Sequence, residues 1–153
     1  DIPENQKRFN SIIENYSIKF KNETNPVEKE QILDRRNSKL ANAIGLEGNI
    51  DRWVGTVRSI ALLSDGASIN IDIGNAELIS GHSTSSNLRP SIRKGTTMYN
   101  VLSDLDKNEK VYLSGSFVTE NGEGLSGLNW YHEGEAAAPE FHFSFTEIKP
   151  AKE

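Results

Sequence analysis

From Ser68 to Ile73 every second residue is isoleucine: Ile69, Ile71 and Ile73 alternate with Ser68, Asn70 and Asp72. A period of two belongs to an extended chain, whose successive side chains point to opposite faces. One face of such a strand is buried and the other is left polar, as in an antiparallel sheet with a single covered side. Two further segments repeat the pattern. Val111, Leu113, Gly115 and Phe117 share one face of "KVYLSGSFVT". Phe141, Phe143 and Phe145 alternate with His142, Ser144 and Thr146. A chain with three such segments has to build a sheet.

The first fifty residues keep a different period. Phe9, Ile12, Ile13, Tyr16 and Phe20 fall at helical spacing on one apolar stripe. A second helix starts at Asn25-Pro26: Asn25 caps, Pro26 takes the first helical position, and Glu28 completes a capping-box-like arrangement. Val27, Ile32, Leu33, Leu40 and Ile44 lie on or near its apolar side, and Gly45 is its C-terminal cap. Two helices joined as a hairpin are expected.

Between these regions, "RWVGTVRSIALL" is a β-branched run, Asp65-Gly66 a turn, and "AELIS" a shorter strand. Residues 81–95 read as loop. Met98, Val101, Leu102 and Leu105 sit at i, i+3, i+4 and i+7 of a short helix. The order is strand, strand, strand, short helix, strand, long loop, strand, which is the order of an OB-fold barrel. The expected fold is therefore α+β. A helical segment, residues 1–48, packs on a five-stranded OB-fold-like β-barrel, residues 49–153, with the short helix between strands 3 and 4. Gly55 and Gly115, inside the first and fourth strands, allow the bends that a small barrel needs. Trp53 alternates with Val57 and reads as core.

The chain has 153 residues, enough for one domain, and a net charge of −5. Residues 51–153 carry nine Lys/Arg against fourteen Asp/Glu, which accounts for that whole charge. An acidic surface is a poor default partner for duplex nucleic acid. There is no cysteine, so disulfides, thiolate metal sites and thiol nucleophiles are excluded. No run of about 18 apolar residues is present to span a membrane. The sequence starts at Asp1 with neither an initiator Met nor an apolar leader segment, so either a leader has been removed or the chain has been trimmed.

Residues 122–127, "GEGLSG", match G-x-G-x-x-G. A dinucleotide cradle needs a helix after the glycines, whose N-terminus holds the phosphates. Here "LNWYHEGEAAAPE" follows, with no apolar stripe, and Glu123 sits inside the would-be cradle. The segment reads as a turn into a loop. His82, His132 and His142 share no metal-ligand spacing, so no metal is expected. Ser114 and Ser116 lie within a strand, and no G-x-S-x-G elbow exists. No catalytic residue is assigned and no cofactor is implied; a hydrolase remains the distant alternative.

The pieces "RWVGTVRSI", "GASINIDIG", "MYNVLSDLDKNEKVYLSGSFV" and "PEFHFSFTEI", with the leading "IPENQKRF", resemble the OB-fold domains grouped as tRNA-anticodon-binding-like. These occur in small bacterial envelope proteins and lipoproteins. The resemblance implies a non-enzymatic, exported binding module, periplasmic or lipid-anchored, with a cytoplasmic location as the alternative. It also implies an oligomeric ligand such as single-stranded nucleic acid. Composition points equally to a protein or envelope-glycan partner.

OB-folds bind through the face of strands two and three and the adjoining loops. That face offers Asn70 and Asp72, flanked by Arg58. The cluster "NLRPSIRK" adds Arg89, Arg93 and Lys94. The loop before the last strand adds Trp130, Tyr131 and His132, whose rings can stack on bases or sugars.

Overall fold

A computed structural model describes residues 1–45, 48–80, 92–118 and 138–151. The helices are α1 (Glu4–Asn22), α2 (Pro26–Ile44) and α3 (Thr97–Leu102). The strands are β1 (Asn49–Leu63), β2 (Gly66–Asp72), β3 (Glu77–Ile79), β4 (Ile92–Arg93), β5 (Lys110–Phe117) and β6 (Glu140–Pro150). The sheet runs β1-β5-β6-β3-β2, and β2 pairs back onto β1, closing a five-stranded barrel. All these pairs are antiparallel except β3 with β6. β4 is a two-residue addition at the start of β2, within the stretch expected to be loop. The fold is α+β: a helical hairpin on an OB-fold-like barrel, with α3 between the third and fourth barrel strands.

One strand makes closure possible. β1 is 15 residues long, pairing with β5 through its first half and β2 through its second. Two register shifts, between Ile50 and Trp53 and between Val57 and Ser59, bend it. Bulges of this kind insert an extra residue and sharpen the right-handed coil. Gly55 lies between them. A Cβ there would come within 2.4 Å of Ile71 Cγ2, so only glycine lets β1 and β2 approach this closely.

The three alternating segments deliver their apolar faces to one core. Ile69, Ile71, Leu113, Phe117, Phe141 and Phe143 are buried in it, with Trp53 and Val57. α1 plugs one end of the barrel with Phe9, whose ring lies 5.3 Å from Trp53 and 5.3 Å from Phe117 between centroids. Ile13 and Leu40 belong to this same core, so the hairpin and the barrel share their apolar interior. Tyr16, Phe20, Ile32 and Leu33 form a second cluster between the helices.

Some local expectations change. Val27, expected on or near the apolar side of α2, is 66% exposed. Asn25 caps α2 as expected, accepting from Val27 N–H at 2.9 Å and Glu28 N–H at 3.1 Å. The Glu28 side chain does not close the box. It pairs with Arg35 at 2.8 Å, and Glu23 accepts the Asn25 N–H instead. In β6 the alternation ends at Thr146: Ser114 faces Glu147 while Gly115 faces Phe145, so Thr146 is the extra residue. The parity then flips, Phe145 is only half-buried, and Ile148 points inward.

Candidate functional site

Arg58 sits at the second register shift of β1, and its side chain leaves the barrel beside the outer face of β2 and β3. Asn70 and Asp72 project from that face because the isoleucines between them point inward. β3 adds Glu77, the cross-strand partner of Asp72. The Arg58 guanidinium lies 3.9 Å from Asp72 and 3.8 Å from Glu77. Asn70 donates a long hydrogen bond, 3.4 Å, to Glu77. Asp72 also accepts the Gly74 N–H at 2.8 Å, an Asx turn that fixes the carboxylate. Arg58, Asp72, Gly74 and Glu77, with Asn75, Ala76, Ala138 and Pro139, line a cleft of about 230 Å³.

Three of the residues expected from sequence, Arg58, Asn70 and Asp72, thus converge. Arg93 and Lys94 do not join them. Arg93 pairs with Gly66 at the far end of β2, four residues from Asn70, or about 13 Å at 3.3 Å per residue. Arg89, Trp130, Tyr131, His132 and the glycine motif at 122–127 lie outside the described residues. Among the described residues, no group of three His, Asp or Glu side chains is placed to hold a metal ion. No described helix is long and apolar enough to cross a membrane.

Sequence reasoning missed the acidic half of this face. Glu77 is one polar residue in a three-residue strand, and only pairing shows that it faces Asp72 on one side and Glu140 on the other. Partial burial, and then the charge of Glu77, push the Glu140 carboxyl above the usual range. A raised folded pKa means that the folded chain holds the proton more tightly than the unfolded one. The stability this brings is fully present below the ordinary glutamate value of about 4.3 and is lost as pH rises through the folded pKa. Glu140→Gln therefore melts higher than the parent at neutral pH. The difference closes below the ordinary carboxylate range, and a pair of thermal-denaturation series against pH checks it.

The chemistry of the face follows from its charge. Two carboxylates surround one guanidinium, with an amide and a third acid nearby. It can donate and accept hydrogen bonds to a polar ligand, but it offers no uncompensated cation to a polyanion. Neither a family model nor a curated protein sequence matches the chain, so its function has to be read from this surface and this topology.

Proposed function

We propose that this chain is a non-catalytic OB-fold-type binding module that takes an oligomeric partner along the barrel face of β1, β2 and β3. The observation that carries it is the convergence of Arg58, Asn70, Asp72 and Glu77 on the face where barrels of this order bind their ligands. The face favours a polar or basic partner, with a protein segment as the first candidate. Single-stranded nucleic acid, which the family resemblance implies, fits it less well: such binding needs a basic groove with stacking rings. Here Arg58 is already compensated by two acids, and Arg93 stands well apart from it. Export to the bacterial envelope belongs to the proposal on the resemblance alone, and fractionation of the source cells tests it.

Binding is tested by titrating isotope-labelled protein with a lysine-rich peptide and, separately, with a short single-stranded oligonucleotide at low salt. The peptide is expected to shift the amides of Arg58, Asn70 and Glu77 saturably, and Asp72→Asn to weaken it. Saturable oligonucleotide shifts running from Arg58 to Arg93 would overturn the reading in favour of nucleic acid.

A further inference from the structure

A second and larger cleft, of about 820 Å³, opens between the first turns of α1 and the outer face of β1 and β5. Lys7 of α1 stands on one side and Lys110 of β5 on the other, with Val54, Thr56 and Tyr112 among the lining residues. Its volume lies within the usual range for small-ligand sites. We propose that this cleft binds a phosphate group.

The argument begins with charge. The barrel region is acidic, yet Lys7, Lys110 and Arg52 make no ion pair among the described residues. Arg35, Arg58 and Lys149 are each matched by a carboxylate. Two acids, Asp1 and Asp72, also line the cleft, and Asp72 is already engaged by Arg58 and the Gly74 N–H. Two unpaired lysines in the lining, with Arg52 stacked on the lining residue Tyr112, suit a multiply charged oxyanion better than a single carboxylate.

The second observation is how Arg52 is held. It lies within the first register shift of β1 with φ at 55°, a left-handed backbone that non-glycine residues seldom adopt. Such outliers persist only where the surroundings hold them, and they cluster at functional sites. Here the Arg52 N–H donates to Ser114 Oγ at 2.9 Å, and that hydroxyl donates in turn to Asp51 at 2.9 Å. The bulge lays the guanidinium over the ring of Tyr112, 4.8 Å from its centroid, and Tyr112 itself lines the cleft. A guanidinium stacked this way keeps its N–H edge available as the fork that fits phosphate oxygens. The Thr56 hydroxyl adds a donor on the same strand.

This site is separate from the Arg58 face, with Asp72 as the wall between them, and it stands whether or not that face binds protein. Phosphate is shared by soluble phosphorylated compounds and by lipid headgroups, so the test has two arms. Pyrophosphate is titrated into isotope-labelled protein, and cosedimentation is measured with phosphatidylcholine vesicles with and without phosphatidic acid. Saturable shifts are expected at Thr56 and Tyr112. Affinity should fall at least about tenfold, a 1.4 kcal/mol change, in the Lys7→Gln/Lys110→Gln double variant. Lys21→Gln, about 21 Å further along α1, should leave it unchanged. Both substituted lysines are exposed, and matching melting curves confirm that the fold is kept. Cosedimentation that needs phosphatidic acid and both lysines, with soluble binding weak, supports the site and assigns the headgroup. Three results overturn it: no saturable response in either arm at millimolar pyrophosphate, equal response to acetate, or full binding by the double variant.

Discussion

Gln6→Met is expected to destabilise the protein by about 3–5 kcal/mol, although Gln6 touches no ligand and the replacement has nearly its volume. The reason lies where β1 and β2 part. Their ladder begins at Thr56 opposite Asp72, so the backbone of Val54 has no strand on that side. Gln6, fully buried on α1, fills the gap. Its Nε2 donates to Val54 O at 2.7 Å and to Ile73 O at 3.0 Å, and its Oε1 accepts the Val54 N–H at 2.8 Å. The amide stands in for a missing strand residue and joins the helix to the barrel. A thioether keeps the packing and offers neither donor nor acceptor.

Each buried backbone group left unpaired costs about 1–3 kcal/mol. Val54 loses both of its partners on this side. Ile73 keeps the Asn10 amide, which donates to the same carbonyl at 2.9 Å. For a chain of this size the loss corresponds to a drop of about 10–15 °C in melting temperature. The exchange of the Val54 amide proton should quicken with it. A loss below about 1 kcal/mol would show that water replaces the amide and that Phe9, Ile13 and the Asn10 amide suffice to hold the helix.

What the sequence reveals and what it hides divide along a physical line. The isoleucines of β2 and the stripe from Phe9 to Phe20 were legible because burial there follows local periodicity. Asn25 and Gly45 were legible because a cap is a short-range device. Gln6 and Arg36 were not. Both are polar residues on helical stripes, and both are fully buried because a distant element meets them. Arg36 stacks 5.7 Å from the Phe141 ring, a contact more than a hundred residues away in sequence. The candidate site divides in the same way. Asn70 and Asp72 follow from alternation, while the compensation of Arg58 by Glu77 depends on a bulge and a register that no local pattern encodes. Arg52 is the sharper case: its place over Tyr112 goes with one left-handed residue near the start of a long strand.

The other large effect is expected at Gly115, where substitution by alanine should cost about 2–6 kcal/mol. Two causes add. The backbone there has φ at 156°, a conformation that L side chains rarely adopt, for which about 1–3 kcal/mol is typical. The new Cβ would also lie 2.1 Å from the Ser144 carbonyl oxygen and 2.7 Å from the Phe143 ring. A backbone oxygen in a paired strand cannot swing aside as a long side chain can, so β6 itself has to move, at a further 1–3 kcal/mol or so. Gly95 separates the two causes. Its φ is also positive, at 85°, but nothing lies within 4 Å of a Cβ built there. Gly95→Ala should therefore lose only the conformational part, about 1–3 kcal/mol, and equal losses at the two positions would refute the steric part. The displacement at Gly115 has a direction that matters for binding. It falls at the shift that sets the register of β6, the strand whose first residue, Glu140, lies opposite Glu77 at the candidate face. Gly115→Ala protein examined below its lowered melting temperature should therefore show altered amide shifts at Glu77 and Leu78, across the barrel from the substitution. Confinement of the shifts to β5 would mean that the bulge at Thr146 absorbs the strain.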